Sequence, residues 1–321
     1  MPPLAGLANV SSTCYINTCI QCLGYCDSFL QFILSKKTDQ ADQDGNLVQE
    51  LNEIYQQIAI NKNIIAPYKF ISSLKKNITL IDIHEQNDLG EFLVLYIDKL
   101  NQSIAYKLPE LVLKDPKDPK DSYKIQNNKM KEHWHRMNAN EYSELVPMFY
   151  GQLIAQIICG CKKIHHNYEM FSLLMVPLNN NNSLLECIDQ YFNDENLSEW
   201  KCDHCNTIQK SEKTVRTWKN PEILMIAIKR FDANLRKNNR NIQIPLELDI
   251  SKYSFDKNSK YRLCSVGYHL GSYHGGHYVC IGRENRENYD KNLWYIADDD
   301  NVKKIENPNI EQGYLYFYQK I

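Results

Sequence analysis

The stretch that decides the fold runs from 261 to 302. It reads YRLCSVGYHLGSYHGGHYVCIG (261–282) and, after a polar gap, LWYIADDDNV (293–302). His277 follows two glycines and opens an alternating apolar run, which is typical of a half-buried strand. A carboxylate at the end of the next strand, such as Asp298, can meet this histidine across an antiparallel pair. The pattern therefore predicts a general base and its orienting acid, and it requires a nucleophile elsewhere in the chain.

The composition excludes several classes of protein. The 321 residues include 37 Lys and Arg against 39 Asp and Glu, and such a balance does not suit nucleic-acid binding. The sequence shows no secretory signal and no apolar run of membrane-spanning length. Eleven cysteines without an export signal favour reduced thiols over disulfides. We therefore expect an intracellular monomer, cytoplasmic or nuclear, with no nucleic-acid or membrane contact.

The candidate nucleophile lies near the N-terminus, in GLANVSSTCYINTCIQCL (6–23). From Cys14 the pattern turns helical, and Ser12 or Thr13 can cap the helix. A thiol in the first turn lies near backbone N–H groups and the positive end of the macrodipole, which predicts a lowered pKa for Cys14. Asn9 carries an amide that can donate to an oxyanion. Taken alone, Cys14 fits a small buried apolar residue better than a nucleophile, as we expect for the later cysteines of this helix.

Two further cysteine pairs indicate a metal site. Cys159 and Cys161 end one strand-like run, and Cys202 and Cys205 form a Cys-x-x-Cys turn. Two such halves can close a tetrahedral thiolate site, so we expect a structural zinc ion. A redox motif is the alternative for the second pair, but the surrounding βαβ pattern is missing. No catalytic cofactor is expected.

The remaining chain shows a change from helices to strands. Apolar residues recur at helical spacing over 47–58 and 88–100, where Asp88 and Glu91 have capping-box spacing. Residues 101–140 show no such spacing, and KDPKDPKDSYK (114–124) predicts a charged, mobile surface loop. From Leu145 onward the pattern is strand-like, with strands expected at the ranges 145–161, 171–178, 222–231 and 313–321.

Three segments together resemble the ubiquitin-specific protease family. Residues 6–23 are similar to its cysteine box, roughly GLxNxGNTCYxNxxLQ, and 85–100 resemble its second box. Residues 267–302 resemble its histidine box and acidic continuation, so the match spans both ends of the chain in the right order. Ser11 and Ser12 depart from the family's Gly-Asn pair, which affects the loop before Cys14.

The resemblance implies a papain-like α+β fold in a single catalytic domain. Its parts would be a helical thumb (1–140), zinc-tipped β fingers (141–215) and a β-sheet palm (216–321). The implied activity is hydrolysis of the isopeptide or peptide bond after the C-terminal glycine of ubiquitin, with ubiquitin and ubiquitinated proteins as partners. Gly275 and Gly276 would leave a narrow backbone slot for a glycine tail.

The resemblance also implies roles for individual residues. Cys14 attacks, His277 is the base, and Asn9 donates to the oxyanion. Trp294 sets the register that makes Asp298 the third catalytic residue, and Asp299 supports the polar geometry beside it.

The sequence leaves open the identity of the base and of the fourth metal ligand. His269 and His274 are rival bases. The first cysteine pair is Cys-x-Cys, and Lys162 stands where the fourth thiolate is expected. Either Cys161 shifts into the site, or His165 or His166 replaces it, or the site is lost.

The sequence is also compatible with three other functions. One is a ubiquitin-binding pseudoenzyme, and another is a protease for a ubiquitin-like modifier. The third is a zinc-scaffold interaction protein in which Cys14 is inert.

Overall fold

The computed structural model describes residues 5–36, 46–60, 63–83, 85–114, 118, 121–273, 275–284 and 293–321. The described chain is helical up to Phe149 and is built mainly on two β-sheets from there on. The α+β class is therefore confirmed. No helix in the described ranges combines the length and the apolar character needed to span a membrane.

Helices form most of the first half. The described ranges hold eight α-helices, which are α1 (Cys14–Gly24), α2 (Asp27–Ser35), α3 (Leu47–Ile60), α4 (Tyr68–Asn77), α5 (Leu89–Ile104), α6 (Ser122–Asn138), α7 (Leu145–Phe149) and α8 (Leu184–Tyr191). The two long apolar patterns expected from the sequence correspond to α3 and α5.

Strands form most of the second half. They are β1 (Gly151–Cys159), β2 (Ile164–Phe171), β3 (Leu173–Pro177), β4 (Glu195–Lys201), β5 (Ile208–Lys219), β6 (Ile223–Lys229), β7 (Glu247–Asp249), β8 (Lys260–Ser272), β9 (Gly275–Arg283), β10 (Trp294–Asp298), β11 (Asn301–Ile305) and β12 (Leu315–Lys320). A four-stranded sheet has the order β2-β1-β5-β4. An eight-stranded sheet has the order β11-β10-β9-β8-β12-β6-β3, with β7 paired to β8.

Helix α1 is the buried element that joins the helical half to the large sheet. Its residues from Cys14 to Leu23 are all buried, and it packs against β8 and β9 on one side and α5 on the other. The polar residues Asn17, Thr18 and Gln21 are buried together with the apolar ones, so no face of α1 is left to solvent. Cys19, Cys22 and Cys26 are fully buried there, as predicted. This packing fixes the first turn of α1 beside the strands that carry the histidine and the acids.

Two local predictions were wrong. The segment 101–140, expected to be irregular, contains α6. Asp121 caps the start of this helix, because its side chain accepts a hydrogen bond from the Lys124 N–H at 3.0 Å. Only Met130, His133 and Asn138 of this helix are buried, so it has no apolar stripe that a periodicity search could find. The strand expected from Leu145 begins only at β1, because α7 comes first.

Candidate active site

Cys14 opens α1 with a side chain that is almost fully buried. Its thiol accepts a hydrogen bond from the backbone N–H of Tyr278, the residue that follows His277 in β9. Burial raises the pKa of Cys14, the charge of Asp299 raises it further, and the backbone N–H groups offset this only in part. The expected lowered pKa is therefore wrong, because desolvation outweighs the helix end. Thr13 does not cap α1 through its side chain, and its hydroxyl accepts instead from the Val10 N–H at 2.9 Å.

His277 and Asp298 meet at the ends of two paired strands. Strands β9 and β10 are antiparallel, with Ala297 opposite Cys280, so the start of one lies beside the end of the other. The His277 Nε2 atom is 2.6 Å from Asp298 Oδ1. Because Tyr278 follows His277 and its backbone contacts Cys14, the residue that carries the base adjoins the nucleophile, and Asp298 bonds to that base.

Asp299 is the hub of a hydrogen-bond network behind this group. Its Oδ2 accepts from Asn9 Nδ2 at 2.8 Å, and its Oδ1 accepts from Asn17 Nδ2 at 2.9 Å. Asp299 Oδ2 lies 3.9 Å from His277 Nε2, farther than Asp298. The Asn9 amide, predicted to donate to an oxyanion, thus donates to Asp299 in this structure.

Asn17 is a site residue to which the sequence reasoning gave no role. It is 2% exposed, and its amide also donates to the Leu7 carbonyl at 3.1 Å. A single asparagine buried in an apolar helix, three residues after the nucleophile, was the signal that could have identified it.

The loop before Cys14 has an unusual backbone. Ser11 and Ser12 have φ angles of 65° and 59°, in the left-handed region that favours glycine and asparagine. These are the positions where the sequence departs from the family's Gly-Asn pair. The loop therefore keeps the left-handed conformation that the Gly-Asn pair favours, at some cost in backbone strain.

Of the two rival bases, the structure describes His269. His269 is 6% exposed and packs against Tyr278, with ring centroids 4.7 Å apart. Burial lowers the pKa of His269 to about 4, so its ring is neutral near pH 7. His274 lies outside the described residues.

A cleft of about 880 Å³ leads to Cys14 between the helical half and the large sheet. At its mouth, Gln86 Nε2 donates to the Gly276 carbonyl, and the Gly276 N–H donates to Gln86 Oε1, both at 3.0 Å. A Cβ at Gly276 would collide with the His269 ring and the Leu270 carbonyl, which accounts for glycine at this position. The second box therefore does more than form a core helix, since Gln86 ties it to the strand that carries the base.

Asp88 makes a second link between α5 and the large sheet. It caps α5 by accepting from the Gly90 and Glu91 N–H groups at 2.8 Å and 3.0 Å. Its other oxygen accepts from the Tyr314 hydroxyl at 2.7 Å. The capping spacing read from the sequence is thus used, and the same carboxylate also holds the cleft wall.

The four predicted metal ligands come together at the tip of the four-stranded sheet. All four sulfur atoms lie within 4.8 Å of one another. Cys159 and Cys205 are 3.9 Å apart, and so are Cys161 and Cys202. Zn–S bonds of about 2.3 Å in a tetrahedron place the sulfur atoms about 3.8 Å apart, so the donor set and spacing fit a metal ion.

The short first pair reaches this cluster through its backbone. Lys162 has a φ of 68°, and the turn it forms brings Cys161 into the group. His165 lies outside the four sulfur atoms, with Nε2 3.3 Å from Cys202 Sγ, whereas His166 contacts Gln156 at 3.2 Å. Of the alternatives left open by the sequence, the shift of Cys161 is the one that this arrangement favours.

The sulfur atoms also have polar neighbours. Gln209 Nε2 donates to Cys159 Sγ at 2.7 Å. A hydrogen bond with Thr207 lowers the pKa of Cys205 to about 6, which favours the thiolate that a metal ion binds. Ligands whose charged form is stabilised in this way are typical of metal sites.

Comparison with known proteins places this geometry in a family. A family model described as ubiquitin carboxyl-terminal hydrolase matches residues 5–318. Ubiquitin carboxyl-terminal hydrolase 12 of Salmo salar is 31% identical over 345 residues, which covers 98% of this chain and 89% of that protein.

Two solved structures have the same fold. A chain of the SAGA DUB module of Ubp8, Sgf11, Sus1 and Sgf73 bound to monoubiquitin matches with a TM-score of 0.74 and 22% identity. A chain of that module bound to ubiquitin aldehyde matches with a TM-score of 0.75 and 23% identity. Each alignment covers 100% of this chain and 70% of the other. With a family model that matches nearly every residue and a relative that is similar along its whole length, the chain belongs to the ubiquitin carboxyl-terminal hydrolase family.

Proposed function

We propose that this chain is a thiol-dependent deubiquitinase that hydrolyses the isopeptide or peptide bond after the C-terminal glycine of ubiquitin. The observation that carries the proposal is the placement of three side chains. The buried Cys14 thiol lies against the Tyr278 backbone, and the adjacent His277 bonds to Asp298 at 2.6 Å. A thiol, a base and an orienting acid are the parts that nucleophilic acyl transfer needs.

The reaction follows from these positions. His277 takes the proton of Cys14, and the thiolate attacks the carbonyl carbon to form a tetrahedral adduct. The adduct expels the amine, which receives the proton from His277, and leaves a thioester on Cys14. Water, deprotonated by His277, then hydrolyses the thioester and regenerates the thiol. Asp298 holds the ring of His277 and stabilises its protonated form in both halves of the reaction.

The raised pKa of Cys14 gives His277 a specific task. Because burial keeps the thiol neutral, the thiolate forms only when the base removes the proton as the substrate reacts. The oxyanion is stabilised by the Cys14 backbone N–H and by Asn9, whose amide turns from Asp299 to the substrate. Loss of one such donor typically lowers kcat by about a hundredfold or more.

Structural zinc is the second part of the proposal. Cys159, Cys161, Cys202 and Cys205 would hold the ion, which would tie the turn after β1 to the turn between β4 and β5. Four thiolates without an open position are typical of structural zinc sites and not of catalytic ones.

Ubiquitin and ubiquitinated proteins are the proposed partners, and the chain acts as a monomer in a reducing compartment inside the cell. Ubiquitin would lie against the four-stranded sheet and the large sheet, with its tail in the cleft beside Gly276. We keep the division into thumb (1–140), fingers (141–215) and palm (216–321). One refinement assigns β3 to the palm, because it pairs with β6 in the large sheet.

The test is labelling of the purified chain with ubiquitin that carries a thiol-reactive electrophile at its C-terminus, followed by intact mass measurement. We expect a single adduct on the parent chain and none on Cys14→Ala. Cys187→Ala is the matched control, because Cys187 is also buried but packs in the core away from the cleft.

The other outcomes separate the alternatives. Ubiquitin binding without an adduct would indicate a pseudoenzyme. An adduct only with a ubiquitin-like modifier would change the substrate. Neither binding nor an adduct would leave the cysteine pairs as the centre of an interaction protein.

A further inference from the structure

A second concave site lies on the side of α6, apart from the catalytic cleft. It has a volume of about 710 Å³ and shares no lining residue with the cleft that reaches Cys14. We call it the α6 groove, and define it by Tyr123 and Trp134 of α6, Trp218 and Lys219 of β5, and the loop residues Phe255 and Lys257. Nothing in the proposed hydrolysis uses these residues.

Aromatic side chains form one wall of the α6 groove. Trp218 packs against Tyr123 and against Phe255, with ring centroids 5.5 Å and 5.0 Å apart. The outer two rings remain largely open to solvent, since Tyr123 is 60% exposed and Phe255 is 45% exposed. Exposed aromatic clusters of this kind are typical of surfaces that bind other proteins, and tryptophan and tyrosine contribute most of the energy there.

The charge of the α6 groove is positive. Lys131, Lys219 and Lys257 line it, against one lining carboxylate, Asp256, which pairs with Lys320 at 3.0 Å. The Lys219 ammonium lies 3.5 Å from the centre of the Trp134 ring, and burial lowers its pKa. Among the described residues no ion pair includes Lys219, so an incoming anion would relieve the cost of burying its charge.

These features determine the chemistry of the occupant. We propose that the α6 groove is a docking site for an acidic segment of a partner protein that presents one aromatic or large aliphatic side chain to the Tyr123–Trp218–Phe255 wall. The carboxylates of the segment pair with Lys131, Lys219 and Lys257, while its apolar side chain packs on the exposed surfaces of Tyr123 and Phe255. A concave site suits a peptide better than a flat membrane, because a bilayer does not enter between two walls.

The experiment is a selection from a displayed library of random short peptides on the immobilised full chain. The same library is selected on Phe255→Ser and on Lys257→Glu, which change exposed side chains of the groove. Tyr68→Ser and Lys76→Glu are matched controls, because both side chains are exposed on α4 and lie outside the groove. Cleavage of a fluorogenic ubiquitin substrate, expected to be unchanged in all four variants, shows that each is folded.

We expect the selected peptides to be rich in Asp and Glu around one aromatic or large aliphatic residue. Fluorescence anisotropy with a labelled selected peptide should show binding weakened about tenfold or more by Phe255→Ser and by Lys257→Glu, and unchanged in the controls. Enrichment of neutral or basic peptides, no enrichment, or equal loss in the controls would overturn the proposal. Sedimentation with phosphatidylserine vesicles but no peptide binding would also overturn it, in favour of a membrane surface.

Discussion

The amide of Asn17 donates to the carboxylate of Asp299 at 2.9 Å, across 282 residues of sequence. This bond joins the helix of the nucleophile to the turn that follows the orienting acid. Its second acceptor, the Leu7 carbonyl, extends the link to the loop that carries Asn9. Cys14 and Asp298 are therefore held in register by a residue to which the proposed reaction gives no chemical step.

Replacement of Asn17 by Ala should lower both stability and turnover. Loss of the donor leaves a partly buried carboxylate oxygen short of a partner, which costs about 1–3 kcal/mol in the free energy of unfolding. We expect kcat to fall about tenfold with little change in KM, because small shifts in catalytic geometry act on the chemical step. The matched control is Asn52→Ala, another buried asparagine, which bonds to the Ile33 carbonyl at 2.8 Å far from the site. It should lower stability alone, and an equal loss of kcat there would contradict the role of Asn17.

Replacement of Asp298 should lower kcat more than replacement of Asp299. Asp298→Asn removes the charge that lies 2.6 Å from His277, and we expect kcat to fall about a hundredfold or more. Asp299→Asn replaces one accepting oxygen by an NH2 group that faces the amide of Asn9 or Asn17. We therefore expect a loss of about 1–3 kcal/mol in unfolding free energy and a fall in kcat of about tenfold, as for Asn17→Ala. Steady-state kinetics and urea denaturation of both variants check this. A larger loss of kcat in Asp299→Asn would make Asp299 the third catalytic residue.

The thiol of Cys14 should react slowly at neutral pH when no substrate is bound. Its pKa is raised by burial and then by Asp299, so the neutral thiol dominates below the ordinary thiol range of about 8.5 and the thiolate appears only above it. The rate of alkylation of Cys14 by iodoacetamide, followed by mass spectrometry, should keep rising as the pH passes that range. Asp299→Asn should move the inflection to lower pH, because it removes the negative charge that helps to raise the pKa of Cys14. A plateau already reached at about pH 7 would contradict the raised pKa.

The left-handed serines predict a gain in stability. Ser11→Gly and Ser12→Asn place residues that tolerate positive φ at 65° and 59°, and each should raise the unfolding free energy by about 1 kcal/mol. Urea denaturation measures the change. Ser28→Gly, in the first turn of α2, is the control and should not raise stability, because glycine is less favourable than serine in a helix.

Metal analysis can decide between Cys161 and His165 as the fourth ligand. We expect the purified chain to hold one zinc ion, Cys161→Ser to lose it, and His165→Phe to keep it. The phenyl ring preserves the packing of His165 on Trp200, whose ring centroids are 4.8 Å apart. Chelation should lower the melting temperature of the parent and not that of Cys161→Ser. Zinc lost from His165→Phe and retained in Cys161→Ser would reverse the assignment.

The sequence was most informative where residue type, spacing and strand pairing agree. The meeting of His277 with Asp298 was predicted from an alternating apolar run that His277 opens and a second strand-like run that ends in carboxylates, which together favour an antiparallel pair. The burial of Cys19 and its neighbours follows from helical spacing. Such local rules need no knowledge of the rest of the chain.

What the sequence could not predict depends on contacts between distant residues. The direction of the Cys14 pKa is set by how deeply α1 is packed against β9, and no pattern within α1 contains that information. Gln86 and Asn17 acquire their roles only when Gly276 and Asp299 arrive from the other end of the chain. Helix α6 was missed because its stability depends on a cap and on a few contacts in place of an apolar stripe.

The place of β12 in the large sheet has a consequence for how the protein is made. This strand is the last one along the described chain, yet it lies in the interior of the sheet, between β8 and β6. During synthesis the edges of β8 and β6 stay unpaired until β12 leaves the ribosome, and such edges favour association with other chains. The surface that buries α1 is also incomplete until then. A nascent chain that already contains Cys14, His277 and Asp298 therefore still lacks the central strand of the sheet against which α1 packs.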